Sequence, residues 1–279
     1  MILKDFNDAH SGETIFVLGN GEELYHLTDE QKALMKDYTV IGTNYSHMMY
    51  DIDYMISGHF SQILYAQNFA NMDNIKAMFF QADREFFEPY NLKKLIRVKV
   101  NRIHDNPKMK MLRRVGEGNG NYLCGAANIG LSVTNLAYMM GAKRVVYIGF
   151  NQMNRLHFYD VDEGMKQELR DNIVKLRSKY RGKHRFDNIN KDWNMFLKHM
   201  LPVKELRKTA FFTPNTIPTL KRMFKQMKNN GVEIISTAEK SRLIGAGATY
   251  LPLDTVLNDT RTNSSRDNSS EEEFEQVPT

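Results

Sequence analysis

The sequence predicts an α/β fold, in which a mainly parallel sheet is flanked by helices and carries a helical insertion. The first observation is that short apolar runs rich in β-branched residues alternate with longer helical patterns for most of the chain. The second is that a glycine-containing turn follows several of these runs. Because parallel sheets bind ligands where their strands end, these turns are the first place to search for function.

The elements follow from the spacing of apolar residues. Continuous apolar runs predict buried strands over 14–18, 39–43, 53–57, 77–80, 95–98, 144–150 and 232–236. Helical spacing predicts helices over 22–36, 60–68, 128–140, 162–180, 190–200 and 218–230. Gly141 follows the third helix in the position of a C-terminal cap.

Composition excludes several classes of protein. With 279 residues, 42% of them hydrophobic and 25% charged, the chain is neither wholly disordered, nor a collagen, nor a disulfide mini-protein. The single cysteine, Cys124, cannot form an internal disulfide, and no zinc-ligand spacing occurs, so we expect a cytoplasmic protein. We expect no membrane segment, because no apolar run reaches the length of a bilayer-spanning helix. Residues 258–279 are polar and acidic and predict a disordered tail behind a single domain of residues 1–257.

Basic residues are concentrated in two stretches. The formal net charge is +5, and residues 258–279 contribute −4, so the body carries about +9. Residues 93–114 hold nine Lys/Arg against one acid, and the helical insertion, about 160–215, is basic as well. Such surfaces are either solvated helix faces or sites for a polyanion such as double-stranded DNA. The candidate phosphate contacts are Lys93, Lys94, Arg113, Arg114, Arg181, Lys183 and Arg185.

The turn after the first strand is the first candidate for nucleotide binding. Gly19, Asn20 and Gly21 stand between a predicted strand and a predicted helix. Glu22 and Glu23 follow at once and would repel a phosphate, so a base and ribose are the expected ligands of this turn. A tight turn without a ligand is the alternative.

Polar residues also follow other predicted strands. Asn44 follows the second strand and Ser57-Gly58-His59 the third, while Gly149 and Asn151 lie at the end of the strand predicted over 144–150. Asn128 and Gly130 begin the central helix, where they can hold a phosphate or simply cap the helix. All of these positions are candidates for donor contacts, with a solvent-facing loop as the alternative.

A histidine beyond the same strand is the candidate general base. We predict that His157 is the general base because histidine titrates near neutral pH, and His184 is the alternative candidate. Arg155 or Tyr159 would steady a departing phosphate. No P-loop and no cluster of metal ligands is visible, so we expect no obligatory metal or other cofactor.

The order of five motifs resembles a Rossmann-like superfamily. The motifs are residues 16–24, 41–44, 53–56, 128–150 and 231–243. That superfamily includes small bacterial sialyltransferases that use CMP-sugars, archaeal pterin pyrophosphokinase-like proteins, flagellin-glycosylating factors and many bacteriophage proteins. The resemblance covers about residues 14 to 245.

The resemblance implies that Asn20, Gly21 and Asn44 contact a nucleotide. Three departures leave the donor sugar open. Glu22 and Glu23 replace the Pro-Ser of the sialyltransferase turn, and Asn128 stands near the position of their Thr-Ser. The tyrosine that binds phosphate in that family has no clear counterpart after Gly149.

Together these observations predict a glycosyltransferase that moves a sugar from a CMP- or UDP-type nucleotide-sugar to an acceptor hydroxyl. A hydroxymethylated pyrimidine in bacteriophage DNA is one acceptor, which would place the protein in the host cytoplasm; a protein or a glycan is another. The alternatives are a nucleotide- or nucleic-acid-binding module without catalysis and an ATP/Mg²⁺-dependent pterin pyrophosphokinase-like enzyme. The second alternative normally needs carboxylates to hold Mg²⁺, and the predicted turns are poor in them.

Overall fold

The computed structural model describes residues 1–81, 90, 92–102, 110–111, 113–114, 122–125, 128–150, 156–183, 186–199 and 216–259. Within these ranges, nine strands form one sheet in which every pair of neighbours is parallel. The strands are β1 (Thr14–Leu18), β2 (Thr39–Thr43), β3 (Tyr54–Ser57), β4 (Ala77–Gln81), β5 (Leu95–Arg102), β6 (Tyr122–Gly125), β7 (Arg144–Ile148), β8 (Glu233–Ser236) and β9 (Thr249–Tyr250). The predicted α/β class with a parallel sheet is confirmed.

Helices connect these strands and cover the sheet. The described α-helices are α1 (Asp29–Met35), α2 (Phe60–Phe69), α3 (Ile129–Met139), α4 (Phe158–Val161), α5 (Glu163–Tyr180), α6 (Phe186–His199), α7 (Thr216–Asn229) and α8 (Arg242–Ala246). Residues 253–259 are also helical and include the first two residues of the predicted tail; residues 260–279 lie outside the described ranges. None of the described helices combines the length and apolar character needed to span a membrane.

The prediction of one helix over 22–36 is wrong. A single 3-10 turn covers Glu22–Leu24, and α1 begins later, at Asp29. Thr28 causes this separation because its hydroxyl accepts a hydrogen bond from the backbone N–H of Gln31, while the Gln31 side chain accepts one from the N–H of Thr28. This reciprocal pair is a capping box, which starts a new helix.

The strand order places β1 inside the sheet, between β2 and β7. From β6 to β9 the order is β6-β5-β4-β3-β2-β1-β7-β8-β9. The chain therefore proceeds away from β1 through β2 to β6, and then returns through α3 to pair β7 with the other side of β1. This reversal is the topological switch point, where doubly wound sheets form a crevice at the carboxyl ends of the strands.

Apolar layers pack on both faces of the sheet. Ile15 and Val17 point into the layer that holds α3, α7 and α8, whereas Phe16 and Leu18 point into the layer that holds α2, α5 and α6. This alternation is the period-two pattern of a strand that is buried on both sides.

The described part of the predicted helical insertion consists mainly of α5 and α6. At the end of α5, the Tyr180 hydroxyl accepts a hydrogen bond from Asn68, near the end of α2. On α6, Asp192 lies beside His59, just before the start of α2. The two insertion helices are therefore antiparallel, and α6 returns toward the carboxyl ends of the strands. Residues 201–215 of the predicted insertion lie outside the described ranges.

Candidate functional site

The turn after β1 is packed against the turn after β7. The backbone N–H of Gly19 donates to the carbonyl of Ile148 (2.8 Å), and that of Gly21 donates to the carbonyl of Gly149 (2.9 Å). A Cβ at position 19 would lie 2.1 Å from the Gly149 oxygen, and Gly149 itself has φ +70°. The need for glycine at 19 and 149 therefore comes from the close approach of two turns, which agrees with the tight-turn alternative.

An aromatic ring packs against both the first turn and the start of α3. Atoms of the buried Phe150 ring lie 2.8 Å from the position of a Cβ on Gly19 and 3.3 Å from that of a Cβ on Gly130. Asn128 accepts a hydrogen bond from the N–H of Gly130 (2.8 Å) and so caps α3. In this structure Asn128, a predicted donor contact, caps α3. Gly130, the other predicted contact, lies beside the Phe150 ring.

A row of polar residues crosses the carboxyl ends of β1, β2 and β3. The Asn20 side-chain oxygen accepts a hydrogen bond from the N–H of Tyr45 (3.2 Å). The Ser57 hydroxyl donates to the side-chain oxygen of Asn44 (3.3 Å), a residue that has φ +54°. The structure therefore brings together Asn20, Asn44 and Ser57, as their positions after neighbouring parallel strands predict.

The residues at this edge differ in how far they are exposed to a ligand. Asn20 and Asn44 are partly exposed, and Gly58 is exposed. Ser57 is completely buried, and its hydroxyl lies 2.5 Å from the side-chain oxygen of Gln62. Ser57 therefore holds the turn after β3, whereas the two asparagines have side-chain groups within reach of a ligand.

His157 lies beside the first turn and is oriented by a carboxylate. Residue 157 forms an antiparallel bridge with Gly21, and the carbonyl of Asn20 accepts a hydrogen bond from the N–H of Phe158. Asp160 accepts the backbone N–H of His157 (3.0 Å) and lies 3.4 Å from its Nδ1 atom. The imidazole is 47% exposed, while the Asp160 side chain is 3% exposed. A carboxylate next to one ring nitrogen is the arrangement that orients a histidine base.

Aromatic residues pack against the His157 ring and hold it in place. Its ring stacks on Tyr159, with centroids 4.8 Å apart and planes 7° apart. Tyr159 is buried and lies edge-on to Tyr45, which in turn contacts Phe196 of α6. Burial, with smaller effects of Tyr159, Tyr65 and Asp192, raises the pKa of Tyr45 well above its usual value. These positions make Tyr159 a support for the imidazole, and its burial separates it from a phosphate in solvent.

A second histidine–carboxylate pair, which the sequence did not predict, lies at this edge. His59 follows Gly58, and its Nδ1 atom lies 3.8 Å from the Asp192 carboxylate on α6. Its backbone N–H donates to the Ser57 hydroxyl (3.1 Å), which links it to the polar row. The position of His59 after a strand is visible in the sequence, but its pairing with Asp192 depends on how α6 packs.

The described basic candidates do not surround this site. Lys93 and Lys94 precede β5, and Lys94 donates to the carbonyl of Met72 before β4, at the amino edge of the sheet. Arg113 and Arg114 both form ion pairs with Asp8. Arg181 and Lys183 follow the far end of α5. Four other sequence candidates, namely Asn151, Arg155, His184 and Arg185, lie outside the described residues.

A surface cavity of about 450 Å³ lies between α1 and the 3-10 turn Ser46–Met48. Its walls include Lys32, Lys36 and His47, and burial lowers the pKa of His47 to about 4. The lining contains neither the two asparagines nor the histidines of the two carboxylate pairs. We therefore place the candidate site on the polar row, where side chains of several strands converge.

Comparison with known proteins does not assign the site. No model of a known protein family matches the chain, and no curated protein matches it. Among the described residues, no three His, Cys, Asp or Glu side chains form a group that could hold a metal ion.

Proposed function

We propose that the protein is a glycosyltransferase that moves a sugar from a nucleotide-sugar to an acceptor hydroxyl without an obligatory metal. The observation that carries this proposal is that Asn20 lies in the turn that borders the carboxylate-oriented His157, in the same polar row as Asn44. Asparagine amides offer both a donor and an acceptor, which suits the base and ribose of a nucleotide. The adjacent imidazole supplies a proton acceptor for the acceptor hydroxyl.

The proposed reaction is a direct displacement at the anomeric carbon of the sugar. His157 removes the proton of the acceptor hydroxyl, whose oxygen forms the new bond to that carbon. The bond from the carbon to the nucleotide phosphate breaks, and its electron pair stays on the phosphate oxygen. Asp160 stabilises the protonated imidazole, and Tyr159 keeps the ring in place. Arg155, outside the described residues, is our candidate for steadying the departing phosphate.

Thermal unfolding with nucleotides tests the donor site. We expect CMP or UMP to raise the melting temperature, equally with Mg²⁺ and with EDTA, because a ligand at about 100 times its Kd stabilises by ~2.7 kcal/mol. GMP serves as the purine control. Stabilisation by ATP only with Mg²⁺ would contradict the proposal and favour the pterin pyrophosphokinase-like alternative. Absence of any shift would contradict a nucleotide-sugar donor.

The acceptor that we propose to test first is a hydroxymethylated pyrimidine in double-stranded DNA, because the body carries a large positive charge. Arg113 and Arg114 are paired with Asp8, so other cations must supply part of the phosphate contacts. We expect the affinity for DNA to fall steeply with salt, with a log–log slope of about −0.9 per phosphate contacted. Binding that is tight but independent of salt would contradict DNA as the acceptor.

A nucleotide-binding module without catalysis is the second candidate function. The position of Phe150 favours it, because the ring packs against Gly130, where the sequence predicts a phosphate contact. This candidate predicts stabilisation by a nucleotide together with no consumption of any nucleotide-sugar in the presence of acceptors.

A further inference from the structure

His59 and Asp192 form a half-exposed pair that the mechanism above does not use. The Nδ1 atom of His59 lies 3.8 Å from a carboxylate oxygen of Asp192, and the two side chains are 45% and 34% exposed. Both groups are therefore accessible to a ligand at the carboxyl edge of the sheet. Each comes from a different element: His59 precedes α2, and Asp192 lies on α6.

Both partners are held by their surroundings. Next to Asp192, Trp193 is completely buried, and one turn later Phe196 packs on Tyr45 with ring centroids 4.7 Å apart. These contacts fix the face of α6 that carries Asp192. On the other side, the Ser57 hydroxyl accepts the backbone N–H of His59. The His59–Asp192 pair is thus a product of tertiary packing. The His157–Asp160 pair is local by contrast, because Asp160 is three residues from His157 and also accepts its backbone N–H.

His59 lies at the β3 end of the polar row, beside a residue that we assign to the nucleotide. His59 follows Ser57 and Gly58 directly, and Ser57 is hydrogen-bonded to Asn44, which we assign to the nucleotide. His157 borders the first turn, at the other end of the row, through its bridge with Gly21. The polar row therefore ends in an oriented histidine on each side.

We propose that His59, oriented by Asp192, is the general acid that protonates the departing phosphate oxygen of the nucleotide-sugar. This inference rests on the proposed function. A general acid must hold a proton, and a carboxylate beside an imidazole stabilises the charged ring that can donate one. Asp192 is then a positioning residue, since it acts through His59.

The step balances with His157 as the base. The acceptor oxygen loses its proton to His157 and bonds to the anomeric carbon. The bond from that carbon to the phosphate oxygen breaks, its electron pair stays on that oxygen, and the oxygen takes the proton of His59. One histidine gains a proton and the other loses one, and exchange with water restores both.

The test compares nucleotides with their nucleosides by calorimetric titration of the full chain. We expect wild-type protein to bind CMP or UMP more tightly than cytidine or uridine. His59→Gln is expected to lose about tenfold or more of this preference, as removal of one charge-assisted hydrogen bond does, with unchanged nucleoside affinity. Asp192→Asn should lose part of the preference, and Asp192→Glu should recover some of it. His26→Gln, the same change at an exposed histidine outside the site, is the matched control.

A second measurement distinguishes His59 as a general acid from His59 as a residue that only binds the phosphate. With the donor whose nucleotide the unfolding screen identifies, His59→Gln should lower kcat by about 100-fold. An unchanged kcat would overturn the acid role. An unchanged preference for the monophosphate in His59→Gln, or equal wild-type affinity for nucleoside and monophosphate, would overturn the inference and leave the proposed function standing. Failure of wild-type protein to bind any of the four compounds would overturn the proposed function itself.

Discussion

Replacing His157 by glutamine is expected to lower sugar transfer by about 100- to 10,000-fold, the usual contribution of a general base. Glutamine is similar in size and can still donate a hydrogen bond to Asp160, but its amide cannot accept the acceptor's proton. The fold should survive, because the bridge to Gly21 and the hydrogen bond from residue 157 to Asp160 use backbone atoms. The measurement is the rate of nucleotide release from the donor.

The control for this substitution is His26→Gln, because His26 is exposed and lies outside the polar row. Its rate should match that of the wild type. A melting temperature of His157→Gln close to the wild-type value would show that the loss concerns chemistry and not folding. A variant that retains the wild-type rate would remove His157 from the mechanism.

Replacing Gly19 by alanine is expected to destabilise the protein by about 3 kcal/mol, at the upper end of typical overpacking effects. The added Cβ would lie 2.1 Å from the oxygen and 2.7 Å from the carbon of Gly149, and 2.8 Å from the Phe150 ring. The backbone has little freedom to yield, because Gly19 donates to Ile148 at the end of the adjacent strand. Urea unfolding measures the effect as a lower transition midpoint.

Gly58→Ala provides the matched comparison at another turn of the same edge. The nearest atom to a Cβ there is the Gln81 side-chain oxygen, at 3.9 Å, which is an ordinary contact. Its effect on the free energy of unfolding should stay within about 1 kcal/mol. Equal losses in the two variants would show that the contact between the β1 and β7 turns is not the reason why Gly19 is needed.

Much of the sheet is predictable because it is parallel and buried. Strands covered on both faces consist of continuous apolar residues, so the runs at 14–18 and 39–43 coincide with β1 and β2. The strands β6 and β9 were missed: β9 has only two residues, and β6, Tyr-Leu-Cys-Gly, has no β-branched residue. Such short segments show no period that distinguishes them from loops.

The candidate site was also predictable only in part from the sequence. Asn20, Asn44 and His157 could be placed from sequence, because the ends of parallel strands meet at one edge of a sheet. The pairing of His59 with Asp192 could not, because it depends on the packing of α6 around Trp193. Charge density left open whether the basic residues form solvated faces or a site for a polyanion, and in the structure Asp8 binds both Arg113 and Arg114.

The central position of β1 has a consequence for synthesis on the ribosome. Ile15 pairs with Val145, so one side of β1 waits for about 130 more residues before its neighbour exists. Until then the nascent chain presents an unpaired edge lined by Phe16 and Val17, which are completely buried once β7 has docked. Such an edge is a target for chaperones and a template for aggregation. Correct folding of this protein therefore depends on shielding its first strand until more than half of the chain has been made.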